Sequence, residues 1–399
     1  MITVDEALSI VLGRVKPLDI ESVALEDAQG RILAEDVIAD IDLPPFDRAR
    51  MDGYALRSTD VKTAPARLRS VGEIAAGASF DGMLAAGEAI KIFTGAPVPR
   101  GADAVQKVEV TESDGQSVVI KESVSLGQFI TPRASEVKAG EVVAERGREI
   151  GPAEMAVLAS FGYSRVRVAL RPRVAVISTG SELVSVSQKP SAAQIRNSNS
   201  YTIGAYAARA GAAVDNIGTV RDTTEEVRAI IEASRSKDVV ITSGGVSMGD
   251  YDLVKAVLVD LGAEIYFDKV SIRPGKPTVF ARFGETYFFG LPGNPVSTSV
   301  TFNVFARPAL RKMQGENSPM LTTAQAELAR PVKDSSSRRS YLPARLFIEN
   351  GRAKAETLKW GGSSDLVAFM RANALIIVPE ETHEIAEGET VEVMALDRI

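Results

Sequence analysis

Between Asp238 and Leu258 the chain reads DVVITSGGVSMGDYDLVKAVL: a buried strand, a glycine-rich turn and a helix, with Asp250 and Asp252 where the turn becomes the helix. Early-helix carboxylates can simply cap a helix and complement its dipole. Beside a phosphate cradle they suggest other chemistry. Gly244, Gly245 and Gly249 let backbone amides approach a phosphate closely, and a following helix N-terminus adds donors and a favourable dipole. Bare carboxylates would repel that phosphate unless a cation lay between, and magnesium, content with a few carboxylates plus phosphate oxygens, is the economical candidate. Asp222, in GTVRDTTEE at another strand-to-helix turn, either joins this cluster or caps the next helix.

Two more turns have the same character. VAVISTGSEL passes from Ile177 through Ser178, Thr179 and Gly180 to Glu182, and FFGLPGNPVST passes from Leu291 through Gly293 and Asn294, with Pro295 suited to a first helical turn. All three turns are expected at one edge of a sheet, where they would form an anion pocket. The cationic side is SIRPGKPTVF, in which Pro274, Gly275 and Pro277 hold Arg273 and Lys276 and restrict the loop that presents them. It lacks the spacing of a Walker A loop. Next to three anion-binding turns it reads as an oxyanion clamp.

Composition removes most alternatives. The chain has no cysteine and one histidine, His383, so thiolate nucleophiles, disulfides, cysteine zinc sites and iron–sulfur clusters are excluded. His383 lies in the polar stretch EETHEIAEGE and is expected in solvent, which makes a Ser-His-Asp triad improbable. Catalysis is left to carboxylates, lysine, arginine, hydroxyls, backbone amides and a hard metal. A net charge of -6, from 46 basic and 52 acidic residues, argues against a general nucleic-acid surface. No apolar run approaches a membrane span, and the start MITVDEALSIVLGRV is acidic and helical in pattern, so a cytoplasmic protein without membrane insertion is expected.

At 399 residues the chain can hold two to four domains. A first helix begins at Thr3, which has capping-box spacing with Glu6. From about Arg67 to Val143 short alternating runs, with an Asp114-Gly115 hairpin signal, indicate a small β domain. A helix and strand around GPAEMAVLASFGYSRVRV lead out of it. From Arg173 to about Arg311 strands alternate with helices, the pattern of a doubly wound, mostly parallel α/β sheet, whose ligands sit beyond the carboxyl ends of its strands. Short strands with glycine turns then return as a C-terminal β domain.

Six segments, PPFDRARMDGYA, KIFTGAPVPRGADAV, VISTGSEL, TSGGVSMGDYD, RPGKP and LPGNPVS, stand in the order found in molybdopterin molybdotransferases. The chain therefore resembles the MoeA family, which includes the E domain of gephyrin. The resemblance implies four domains: an N-terminal linking domain from 1–46 and 144–170, a β-rich domain at 47–143, a molybdopterin-binding α/β domain at 171–318 and a C-terminal β domain at 319–399. It implies a homodimer whose cleft combines the α/β domain of one subunit with N-terminal regions of the other. The implied reaction inserts molybdate into adenylylated molybdopterin, with divalent-metal-dependent release of AMP, giving molybdenum cofactor.

Carried over by motif, the catalytic group is Asp52 of MDGYA, Thr94 of TGAPVP, Glu182, Asp222, Asp252, Arg273 and Lys276. The metal would rest on Asp250, Asp252 and Asp222. Pterin or phosphate contacts fall to Thr179, Gly180, Ser243, Gly244, Gly245, Ser247, Gly249, Pro292, Gly293 and Asn294, with Ser363 of WGGSSD a looser match. Glu136, Ala134, Ala49 and Arg273 depart from the residues common in the family; an arginine offers a planar fork where a lysine is a point donor. Rival readings are a non-catalytic scaffold of the gephyrin type and a molybdopterin adenylyltransferase, against which MDGYA, TGAPVP and the C-terminal β domain argue. No adenylylating domain is evident in the chain, so a separate adenylyltransferase is expected to deliver the substrate.

Overall fold

A computed structural model describes residues 1–245 and 253–396. Thr3 opens the first helix, Val4–Arg14, with a capping box: its hydroxyl accepts from the amide of Glu6, whose carboxylate accepts from the amide of Thr3. The helix does not pack on the strands that follow it. Val4, Ala7 and Val11 are buried in the core of the α/β unit, and Tyr287 donates its hydroxyl proton to the carbonyl of Arg14 at 2.7 Å.

The N-terminal elements meet across a long insertion. Ile20–Ala24 pairs antiparallel with Arg165–Ala169, and Val37–Ile38 with Val142–Ala144; the helix Pro152–Ser160 covers them through Leu158. Between these partners lies a six-stranded sheet, ordered Ala104–Lys107, Gly53–Leu56, Glu88–Ile92, Ala66–Ile74, Ser117–Ile120, Thr111–Ser113. The last two form the hairpin expected at Asp114-Gly115. Gly53 sits so close to the neighbouring strand that a Cβ there would collide with the carbonyl of Gln106.

The central sheet runs Ala213–Val220, Arg173–Thr179, Val239–Ser243, Thr286–Leu291, Val279–Phe283, Glu264–Phe267. The first four strands are mutually parallel, and the last two add antiparallel pairings, so the expected mostly parallel sheet is present. Its inner strands are buried on both faces, as covered parallel sheets must be. Val174, Val176 and Ile241 face the first helix and the segment Pro295–Met313, whereas Ala175, Ile177 and Val240 face Val227 of Thr224–Ala233 and Val257 of Leu253–Asp260. The chain leaves Arg173–Thr179 toward one side of the sheet and returns to build Val239–Ser243 on the other. That reversal is a topological switch point, where α/β sheets open a crevice for ligands.

In the C-terminal unit Arg339–Glu349 pairs with both Arg352–Thr357 and Ala374–Val378. With Thr323–Leu328 and Thr390–Ala395 the strands close into a barrel, and the start of Arg339–Glu349 also pairs with Ile272–Arg273. The loop expected to act as an oxyanion clamp is thereby tied to the barrel.

Candidate functional site

The three glycine-bearing turns do converge. Ser178, Thr179 and Glu182 from the first, Ser243, Gly244 and Gly245 from the second, and Pro292, Gly293 and Asn294 from the third line one cavity of about 660 Å³ at the switch point. Gly244 adopts φ +91°, and a Cβ on it would run into the carbonyl of Thr179; one on Gly245 would lie 2.8 Å from the Thr179 hydroxyl. Backbone therefore packs on backbone between two adjacent strand ends, and the amide of Gly244 donates to the carbonyl of Leu291 at 3.2 Å. Gly180 lines an adjoining recess with Arg221.

Asp222 also lines the cavity. Thr223, not Asp222, caps the following helix by accepting from the amide of Glu226, so Asp222 is released from the capping role. Among the described residues Glu182 and Asp222 are the carboxylates of this cavity, and both are exposed. Among the described residues no group of three or more acidic or histidine side chains gathers to hold a metal ion. An all-oxygen pair suits an ion that takes its remaining ligands from phosphate and water, as magnesium does. Ser247, Gly249, Asp250 and Asp252 lie outside the described residues.

Asn294 precedes Pro295, which starts the helix Pro295–Thr301. Its side chain leaves the helix end uncapped and donates instead to the hydroxyl of Ser363 at 2.9 Å, while the carbonyl of Ser363 accepts from the amide of Val296. The C-terminal segment is thus bonded to the third turn, and Ser363, matched only loosely by sequence, is in place.

Arg273 and Lys276 lie elsewhere than expected. They line a second cleft, of about 720 Å³, between the α/β unit and the barrel; Pro277, Pro292 and Asn294 form a wall common to both cavities. Arg273 is ion-paired with Asp334, whose side chain is only 2% exposed. The cleft also presents Lys333, Arg338 and Lys359, three cations that the sequence reading did not single out. Arg338 donates to the carbonyl of Ile272 at 2.9 Å, and burial, with the like charge of Arg273, draws its pKa below the ordinary guanidinium value. Lys333 leans toward Glu384 at 3.5 Å. Neither Lys276 nor Lys359 has a carboxylate within ion-pair distance among the described residues, which leaves a net positive cavity suited to an anion.

Asp52 and Thr94 line neither cavity of their own chain. They are joined to each other: the backbone amide and the hydroxyl of Thr94 both donate to one carboxylate oxygen of Asp52 at 2.7 Å. The amide bond first, then the hydroxyl, hold the Asp52 carboxyl below its ordinary range. Both residues are exposed. Glu136 is engaged by Arg48 at 3.0 Å. His383 is exposed, as expected, its ring nitrogen 3.3 Å from the carbonyl of Asp334.

Sequence reasoning passed over the polar side chains behind the turns. Asn197, 5% exposed, accepts from Ser178 and donates to Thr219 at 2.9 Å. Asn199 donates to both Ser243 and the carbonyl of Gly293 at 2.7 Å. The only signal was their position in RNSNS, just before a helical pattern.

Three family descriptions match consecutive parts of the chain: the MoeA N-terminal region (domain I and II) at residues 2–162, a probable molybdopterin binding domain at 175–312, and the MoeA C-terminal region (domain IV) at 325–396. A molybdopterin molybdenumtransferase of Bacillus subtilis is 36% identical over 99% of this chain and 94% of its own. One from Haemophilus influenzae is 35% identical over 98% of each. The crystal structure of a molybdopterin biosynthesis MoeA protein from Pyrococcus horikoshii superposes with a TM-score of 0.85 at 30% identity, covering 99% of this chain and all of that one. With the glycine turns, the switch-point cavity and the C-terminal barrel all in place, the chain belongs to the MoeA family of molybdopterin molybdenumtransferases.

Proposed function

We propose that this chain acts in molybdenum cofactor biosynthesis as a molybdopterin molybdotransferase, accepting adenylylated molybdopterin and molybdate and releasing AMP and molybdenum cofactor. The observation that carries this reading is the shared wall of Pro277, Pro292 and Asn294 between an acid-rimmed cavity with a bare glycine turn and a basic cleft. A phosphorylated substrate in the first and a dianion in the second would be adjacent, as an insertion reaction requires.

The amide at Gly245 binds a phosphate oxygen, Gly244 lets the backbone come close enough for it, and Lys276 holds the oxyanion with Arg338 and Lys359. Arg273, neutralised in part by Asp334, orients the cleft more than it charges it. Glu182 and Asp222 hold a divalent metal, magnesium in this reading, which when bound neutralises the pyrophosphate; Asp250 and Asp252 are assigned to the same task by motif alone. Leu183, Ile195 and Leu366 give the cavity an apolar side against which a flat heterocycle packs.

Asp52 and Thr94 are exposed and line neither cavity of their own chain, which supports a homodimer in which they complete the partner's site. A cytoplasmic location and a separate adenylyltransferase as donor of the substrate belong to the same reading; no described helix is long and apolar enough to cross a membrane.

The test is AMP release from adenylylated molybdopterin with magnesium, with and without molybdate, for the wild type and Asp222→Ala. Molybdate-stimulated release that collapses in the variant is the expected result. Tight substrate binding with no AMP release under any metal or oxyanion would replace this reading with a carrier or scaffold.

A further inference from the structure

Asn199 is the first residue of the helix Asn199–Arg209 and lines the switch-point cavity. Its amide can be oriented without ambiguity. One neighbour is the carbonyl oxygen of Gly293, which can only accept. The other is the hydroxyl of Ser243, whose own proton is directed to the carbonyl of Pro292 at 3.2 Å, so it too must accept from Asn199. Both N–H bonds of the amide are therefore committed, and Oδ1 is turned away from them. That oxygen is buried and has no hydrogen-bond partner among the described residues.

A second unpaired group lines the same cavity from the adjacent strand end. Thr179 is 4% exposed, and its hydroxyl has no partner among the described residues. Buried polar groups are nearly always satisfied, and two orphans on neighbouring turns of one cavity indicate a ligand that satisfies them. Oδ1 can only accept, so what it requires is a donor. A pyrophosphate diester, which carries no proton at neutral pH, and molybdate offer none; a heterocyclic N–H does.

We propose that Asn199 is a specificity-determining residue whose Oδ1 accepts an N–H from the nitrogen heterocycle of the substrate, held in register by Ser243 and Gly293. The inference rests on the proposed reading that the substrate is an adenylylated pterin. Such a substrate carries amino donors on two rings, the pterin and the adenine. Either would fit, and both would be lost on replacing the amine by a carbonyl, which sets acceptor against acceptor. A site built to bond a donor discriminates strongly against an analogue lacking it, because its own group is then left unpaired.

The experiment measures equilibrium binding to the full chain of two probe pairs: 6-hydroxymethylpterin phosphate with its 2-oxo counterpart, and AMP with IMP. Wild type, Asn199→Ala and Ser243→Ala are compared after each is shown to be folded by circular dichroism. The wild type is expected to favour the amino member of one pair by about tenfold or more. Asn199→Ala brings that ratio close to one, and the pair affected identifies the ring. Ser243→Ala weakens binding yet keeps the ratio, since Gly293 still fixes the amide. An undiminished preference in Asn199→Ala, or no preference in a wild type that binds the probes, overturns the assignment alone. A wild type that binds neither these probes nor adenylylated molybdopterin overturns the proposed function with it.

Discussion

The carbonyl oxygen of Thr179 occupies the space in which a side chain at Gly244 would begin. Two strand ends are thereby locked together at the floor of the cavity, and Gly244 stands at φ +91° to allow it. Gly244→Ala must relieve both the overlap and a left-handed backbone that disfavours a Cβ, at about 1–3 kcal/mol. We expect a folded protein with a lower thermal midpoint and at least tenfold weaker phosphate-probe binding, read by calorimetry; unchanged binding would remove the turn from the site.

Asp52 and Thr94 supply a pH test. The Thr94 amide and hydroxyl lower the Asp52 pKa below its ordinary value of 3.8. A depressed carboxyl contributes stability that is present above the ordinary value and lost as pH falls through the lowered one, so the window lies below about pH 4. In Thr94→Val the hydroxyl is gone and the amide remains, and the Asp52 midpoint should rise part of the way back. Carboxyl carbon shifts followed by NMR check this; a wild-type midpoint at or above 3.8 contradicts the geometry. At neutral pH Asp52 is expected to act as an anion and a ligand, not as a proton acceptor.

The two clefts should separate by kinetics. Lys276→Ala raises the molybdate concentration needed for half-maximal AMP release by about tenfold while leaving the metal dependence alone, as expected on losing one charged contact. Asp222→Asn does the reverse. If both variants shift both dependences equally, metal and oxyanion share a single site.

Arg311 lies behind the α/β unit with its side chain 3% exposed, bonded to Glu316 through two nitrogens and to Glu149 at 2.8 Å. Removing it takes from Glu316 and Glu149 their shared hydrogen-bonded cation in a partly buried place, with Arg307 acting on both from nearby. Arg311→Met should lower the unfolding free energy by about 3 kcal/mol, and replacing both glutamates by glutamine as well should recover part of the loss. Urea denaturation midpoints measure each; an unaffected midpoint in Arg311→Met would mean the triad is solvated.

What could be read from sequence was what the chain encodes locally. The capping box at Thr3 and Glu6, the hairpin at Asp114-Gly115 and the helix start at Pro295 depend on neighbours within a few residues, and all three appear as expected. The convergence of three turns follows from strand–helix alternation, because parallel strands must send their ends to one edge. That the clamp loop faces a neighbouring cleft has a non-local reason: the partner of Arg273 is Asp334, 61 positions away, and nothing near RPGKP signals it. Lys359 and Arg338 enter the basic cleft only because the barrel turns back on the α/β unit. Asn199 was read as the beginning of a helix, which it is; its second role depends on Ser243 and Gly293, brought close only by the sheet.

The pairing of Ile272–Arg273 with Arg339 and Ser340 has a consequence for the order of synthesis. The loop bearing Lys276 leaves the ribosome well before the strand that anchors it, so the α/β unit is translated with that loop tethered on one side only. A nascent chain halted ahead of the barrel would possess the glycine turns but lack the basic cleft, and the capacity to concentrate oxyanions would arise only as translation finishes.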